Sequence, residues 1–264
     1  MIPHKDECIA ILMEMLAMPL DSADAVFEKF AALPGAIYKR GNSKQERFLY
    51  IPGSRKDRVL LVSHADTFWD SAYPNGTDSQ TLIQAWPEIR GANHNIGIGA
   101  DDRAGCAMLY ALKDSGHSLL IMDSEEKYKI SHRFLKESAP KLLRELNSHC
   151  YMLEVDLPGF GYCSSARIPN TKQFVDYINA GLNTQTEPAL ENLGTDITQL
   201  CTKICGANIS CGYYHYHKGD EFLQGEHWCT MLYYLNQFLQ QPQKRFPIHY
   251  WKKYTDFILT KLKR

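Results

Sequence analysis

Four short apolar runs recur along this chain with longer amphipathic stretches between them: Val59-Leu60-Leu61-Val62, Ser118-Leu119-Leu120-Ile121-Met122, Tyr151-Met152-Leu153-Glu154-Val155 and Asn208-Ile209-Ser210-Cys211-Gly212-Tyr213. A strand that is apolar along its whole length has both faces covered, as in a parallel sheet between helical layers. Helical periodicity predicts helices over 5–17, 22–32, 103–113, 132–146, 171–181, 196–205, 225–240 and 250–263. The alternation predicts an α/β fold, a three-layer arrangement of a mostly parallel mixed sheet with helices on both faces. At 264 residues, 44% of them hydrophobic, the chain can bury one large core, whereas two compact domains would be a tight fit. The expected organisation is therefore one domain over 1–264. Residues 68–98, rich in Pro, Asn, Gly and Asp with one weak apolar segment at 81–86, read as a long excursion of the kind that walls a site.

The balance of charge narrows the partners. With 29 basic and 30 acidic residues the formal charge is −1, so no global field draws in nucleic acid or an anionic membrane, and a small, locally charged substrate is the expected partner. No stretch approaches the roughly 20 apolar residues of a bilayer span. The opening segment also lacks the basic-then-apolar order of a secretory signal, because Asp6, Glu7 and Glu14 interrupt it, and the expected location is cytoplasmic. Eight cysteines occur without a Cys-x-x-Cys pair and read as reduced core residues; Cys201 and Cys205, four apart on a predicted helix, lack the paired spacing of a thiolate metal site.

Each apolar run leads into acidic residues or histidine. His64 and Asp66 follow the first, Glu125 and Glu126 the second, Asp156 the third and His215 and His217 the fourth, while Asp101-Asp102 stands before a predicted helix. In an open α/β sheet ligands gather beyond the carboxyl ends of the strands, and these residues fall there. Each has an ordinary structural reading beside the chemical one. A lone histidine such as His64 is commonly a hydrogen-bonded structural residue, but Asp66, two residues on, lies on the same side of an extended segment and suits the carboxylate partner of a metal-bound imidazole. Asp101-Asp102 suits a helix N-cap, and Asp156 suits the Pro158-Gly159 turn. Glu125 and Glu126, adjacent in extended chain, face opposite ways, so that one can ligate while the other addresses substrate. His215 and His217 are two apart on a predicted extended segment, and spacing does not choose between them; Glu221 reads as a partner or a helix-opening residue, and Tyr213, Tyr214 and Tyr216 as wall and core. Three carboxylates, Asp101, Glu126 and Asp156, against two divalent ions leave one positive charge, which a hydroxide neutralises, and zinc lowers the pKa of its bound water to about 7.

In order, Val62-Ser63-His64-Ala65-Asp66, Gly99-Ala100-Asp101-Asp102-Arg103-Ala104-Gly105, Asp123-Ser124-Glu125-Glu126, Glu154-Val155-Asp156, Gly194-Thr195-Asp196-Ile197 and Gly212-Tyr213-Tyr214-His215-Tyr216-His217 resemble the motifs of the co-catalytic zinc exopeptidases, over nearly the whole chain. That group comprises aminopeptidases, carboxypeptidases and related amidohydrolases. The resemblance implies two zinc ions, with His64 and Asp156 on one, Glu126 and the late histidine on the other, and Asp101 bridging. It implies Glu125 as general base and Asp66 as the partner of His64. An acid four residues after the late histidine is common in the group, which favours His217 with Glu221 over His215. Thr195-Asp196 resembles a stretch near the site, in a supporting role. The 36 residues between His64 and Asp101, and the similarly short span from Asp156 to His217, leave no room for a lid or dimerisation insert, so a minimal single peptidase-like domain is expected. Where relatives have a small glycine-containing loop after the second glutamate, this chain has Lys127-Tyr128-Lys129, so specificity does not carry over.

The leading expectation is a di-zinc exopeptidase, an aminopeptidase in the first instance, in which Glu125 takes a proton from a water held between the metals and returns it to the leaving amine. Cobalt or manganese also suits this donor set. Two alternatives stand beside it: an amidohydrolase acting on N-acyl amino acids or other small amides, and a non-catalytic binding module on a peptidase scaffold. Sequence leaves the oligomeric state and the preferred side chain open.

Overall fold

The computed structural model describes residues 2–70, 80–126, 130–165, 167–186 and 195–248. Eight helices occur among them: α1 (Lys5–Leu16), α2 (Asp24–Ala31), α3 (Ala100–Ala111), α4 (Ile130–Ser138), α5 (Pro140–Leu146), α6 (Lys172–Leu182), α7 (Asp196–Leu200) and α8 (Gly225–Gln240). The strands are β1 (Ile37–Arg40), β2 (Arg47–Ile51), β3 (Leu60–His64), β4 (Leu82–Ala85), β5 (Glu88–Gly91), β6 (Ser118–Met122), β7 (Met152–Leu157), β8 (Tyr162–Ser164), β9 (Gln185–Thr186), β10 (Gly206–Ser210), β11 (Tyr213–Tyr214) and β12 (Phe222–Gln224).

The main sheet runs β1-β2-β6-β3-β7-β10-β8-β9. Its middle four strands, β6, β3, β7 and β10, are parallel, and β2 and β8 join them antiparallel. Apolar residues of successive parity leave the sheet on opposite faces. Leu61, Leu119, Ile121, Leu153 and Val155 pack into a core with α1, α3, α6 and α8, while Leu60, Val62, Leu120, Met122 and Met152 pack into another with α4, α5 and α7. These two cores make the three layers predicted for an α/β fold. No helix among the described residues is long and apolar enough to cross a membrane.

Several expected elements differ in detail. The helix expected over 132–146 is two, because Pro140 removes an amide that a continuous helix needs and instead opens α5. The helix expected over 196–205 stops at Leu200, and Cys201 and Cys205 lie beyond it as free, buried thiols. The strand expected over 208–213 divides at Gly212, whose φ of 90° turns the chain from β10 into β11. The excursion at 68–98 contributes β4 and β5 to a second sheet, ordered β11-β12-β5-β4, that stands beside the carboxyl ends of the main strands. The helix expected over 250–263, the Lys127-Tyr128-Lys129 loop and residues 71–79 of the excursion lie outside the described residues.

Candidate metal centre

β3 delivers His64 at its last position, and Asp66 follows in the next turn of chain. Nδ1 of His64 lies 3.1 Å from the Asp66 carbonyl oxygen and 3.3 Å from Asp66 Oδ1. This leaves Nε2 facing the centre, 3.2 Å from Asp101 Oδ1 and 3.5 Å from Asp156 Oδ1. The Asp66 carboxylate does a second job. Its two oxygens accept the amides of Glu125 (3.1 Å) and Glu126 (3.2 Å), so the chain after β6 is held against the chain after β3.

Asp101 and Asp102 begin α3 with non-helical dihedrals, and the peptide bond between them is cis. The cap reading falls to Asp102 alone. Asp102 turns inward, where it accepts the Gly105 amide (3.0 Å) and the Ser63 hydroxyl, tying α3 to β3. Asp101 turns outward to the centre.

Glu125 and Glu126 lie in a turn after Ser124, whose φ is 54°, so the turn separates their side chains and not the alternation of an extended strand. Glu126 Oε2 is 2.7 Å from His217 Nε2, and Asp101 Oδ2 is 3.3 Å from the same nitrogen. His215 and His217 are likewise not extended. Both have positive φ, and their rings diverge: His215 pairs with Asp220 at the surface, 2.8 Å away, while His217 enters the centre with its ring stacked on Phe68 at 4.6 Å. Glu221 neither opens a helix nor appears among the contacts of His217. Its carboxylate accepts the amides of Ile98 (2.8 Å), Gly99 (2.8 Å) and Asp101 (3.1 Å), clamping the loop that carries Asp101.

Asp156 is aimed by a bulge. The pairing of β10 with β7 shifts register between Asn208 and Ser210, and the Asn208 side chain replaces the missing ladder bonds: its Oδ1 accepts the Asp156 amide (2.9 Å) and its Nδ2 donates to the Asp156 carbonyl (3.0 Å). The Tyr213 hydroxyl donates to Asp156 Oδ1 at 3.2 Å. Neither role is foreseen from sequence. Asn208 reads there only as a strand residue and Tyr213 only as wall, since a side chain that substitutes for a ladder bond leaves no spacing to read.

Two overlapping groups of donors result. One atom each from His64, Asp101 and Asp156 lie within 4.8 Å of one another, as do one each from Asp101, Glu126 and His217, and Asp101 belongs to both. The charges interact strongly. Burial opposes the imidazolium form of His64, but Asp156, Asp101 and Asp66 outweigh it and its pKa is raised; His217 is raised to about 10 in the same way by Asp101 and Glu126. Burial, then Asp101, pushes both Asp156 and Glu126 up to about 8. Asp101, the carboxylate shared by both groups, goes the other way: burial pushes it up, but His217 and His64 hold it well below the usual carboxylate range. Glu125 stands half-buried beside them, close enough to add to the rise at Asp156. Imidazole nitrogen with two carboxylates at each position, one carboxylate shared, fits a pair of divalent ions.

No protein-family model matches the sequence, and no curated protein matches it. Solved structures do match. The aminopeptidase PepT from Bacillus cereus is 11% identical, with a TM-score of 0.65 over 90% of this chain and 98% of that one. A tripeptidase from Staphylococcus aureus gives the same identity and TM-score over 91% and 98%. A glutaminyl cyclase from an Acidobacteriales bacterium, also 11% identical, scores 0.58 over 89% and 93%. The chain shares the fold of these three structures. The resemblance in motifs is therefore matched by a resemblance in architecture over nine-tenths of the chain, though at this identity the likeness is one of fold.

Proposed function

We propose that this protein is a di-metal hydrolase of small peptides or amides, with aminopeptidase activity as the first reading. The observation that carries it is the shared position of Asp101 in two overlapping donor groups, with Glu125 beside them. His64 and Asp156 would hold one ion, Glu126 and His217 the other, and Asp101 both. Two zinc ions at such positions supply an activated water and a polarised amide carbonyl. The chain's own groups do the rest. Asp66 fixes the tautomer of His64, since an acceptor at Nδ1 leaves Nε2 as the ligating nitrogen. Glu125 takes the water's proton and returns it to the departing amine, a role that needs a carboxylate near the ligands without being one of them. The fold shared with the aminopeptidase and tripeptidase structures supports a peptidase, and the fold shared with a glutaminyl cyclase is the reason to test substrate class directly.

The test is metal content by mass spectrometry with hydrolysis of a substrate panel. Wild type reconstituted with zinc should carry about two ions per chain and cleave free aminoacyl amides. Asp101→Ala should lose most of the metal, and Glu125→Gln should keep it while turnover falls by about 10³-fold or more. Cleavage of N-acylated amides alone would move the assignment to a deacylase. Absence of specific metal from wild type would sink the di-metal reading.

A further inference from the structure

Behind the candidate centre lies a second buried polar group, on the face of the sheet covered by α4, α5 and α7. Glu154 stands two residues before Asp156 on β7 and is fully buried. Its Oε1 accepts the amide of Asp196 at 3.0 Å and its Oε2 that of Ile197 at 3.3 Å, so a strand carboxylate binds the first turn of α7. Asp196 is itself fully buried, and its Oδ1 lies 2.5 Å from Nε2 of His132, which is 3% exposed in the first turn of α4. The two atoms approach without hydrogen-bond alignment. A buried polar contact of this kind is costly to desolvate, and apolar residues of similar volume often serve stability as well or better.

Its place in the chain suggests what it does. α4 is the element that follows Glu125 and Glu126, and Ser131, beside His132, accepts the Asp123 amide through Oγ at 3.2 Å. The 123–126 segment is thus held from one side by Asp66, which accepts the Glu125 and Glu126 amides, and from the other by the first turn of α4. The pair between His132 and Asp196 fastens that turn to α7, and Glu154 fastens α7 to β7, the strand that carries Asp156.

We propose that His132 and Asp196 are positioning residues for the candidate centre: their buried contact sets the distance between the 123–126 turn and β7, and so the alignment of Glu126 as a ligand and Glu125 as a base with Asp156. The proposal rests on the function proposed above. It requires the close polar contact of these two side chains, which an apolar pair of the same volume does not supply.

The experiment compares wild type, Asp196→Asn, His132→Gln and the double variant His132→Leu/Asp196→Leu by thermal unfolding, calorimetric titration of the metal-free protein with zinc, and steady-state hydrolysis. Partners that orient metal ligands are worth about 10- to 100-fold in affinity or activity. The expected result is that variants which fold cooperatively bind one of the two zinc ions about tenfold or more weakly, with kcat lowered about 10- to 100-fold and KM changed less than about threefold. The apolar double variant should fold and show the same losses, which separates positioning from stability. Folded variants that keep both zinc affinities and kcat within about twofold of wild type would overturn the proposal while leaving the function proposed above intact. A wild type that takes two zinc ions but cleaves nothing would sink the hydrolase reading, and the zinc titration alone would then decide the positioning role. A wild type that takes no zinc overturns both.

Discussion

Asp101 is the residue on which both donor groups depend, and its place is set by a residue that holds its backbone and belongs to neither group. Glu221 is 2% exposed and spends both carboxylate oxygens on three backbone amides, those of Ile98, Gly99 and Asp101. Burial and then Asp101 raise its pKa to about 7, while the three amides pull it down. Glu221→Gln keeps the shape but turns one acceptor into a donor facing amide donors, leaving a buried N–H unpaired at a cost of about 1–3 kcal/mol. A lower unfolding midpoint and zinc binding weakened about tenfold or more are expected, checked by urea unfolding and by calorimetry on the same preparation. An unchanged variant would show that the Asp101 loop holds itself. Residues of this kind explain how much of the site is legible in sequence. His64, Asp101, Glu125, Glu126 and Asp156 each stand at the end of an apolar run or the start of a helix, where each also has an ordinary structural reading, and it is their ordered resemblance to the exopeptidase motifs that singles them out. Glu221 looks from sequence like the partner of His217, because a carboxylate bonded to backbone amides has no side-chain partner to betray it. His215 and His217 look equivalent because spacing does not report the positive φ of 56° and 61° that sends their rings apart.

At the scale of elements, the site depends on how closely α3 lies against β7. Gly105 is in the second turn of α3, and a Cβ there would sit 2.0 Å from the Val155 carbonyl oxygen and 2.3 Å from Asp102 Oδ1. Helix propensity favours alanine over glycine by about 1 kcal/mol, but a backbone oxygen at that distance does not move aside as a flexible side chain does. Steric exclusion wins, and Gly105→Ala should destabilise the protein by about 2–4 kcal/mol, read as a shifted urea midpoint, with zinc content reduced because α3 carries Asp101. A stabilised variant would mean that α3 stands further from the sheet than it does here. The same closeness bears on what elements the sequence shows. Continuous apolar runs reveal β3, β6, β7 and β10 because both their faces are buried. β4, β5, β11 and β12 stay hidden, since strands of two to four residues that are not buried throughout have too little pattern to register, and they become a sheet only when distant segments meet. The break at Pro140 was readable, since proline belongs in the first turn of a helix and not its interior.

For the whole molecule, chemistry and acid sensitivity sit at opposite ends of the same sheet. The candidate centre lies beyond the carboxyl ends of β3, β6 and β7, whereas His149 lies at their amino ends, packed between α5 and the start of β6. His149 is 1% exposed; Nδ1 donates to the carbonyls of Glu145 (3.1 Å) and Leu146 (3.0 Å), and Nε2 accepts from the Ser118 hydroxyl (2.8 Å). Those partners suit the neutral ring, and burial, with help from Arg58, lowers its pKa from 6.5 to about 4. The unfolded chain therefore binds a proton near pH 6.5 that the folded chain refuses until about pH 4. Stability from this group is full above pH 6.5 and is lost as pH falls toward 4, by about 3 kcal/mol at the limit. His149→Gln has no such proton to take up. Its stability deficit at pH 7, from the lost hydrogen bonds, should narrow or reverse at pH 4.5, measured by urea unfolding of both proteins in chelator so that loss of metal does not enter. A deficit that stays constant across this range would place the acid sensitivity at another group, and Asp156, Glu126 and His217 do not supply it, because their raised pKa values make the folded chain bind those protons more tightly than the unfolded one and gain stability as pH falls.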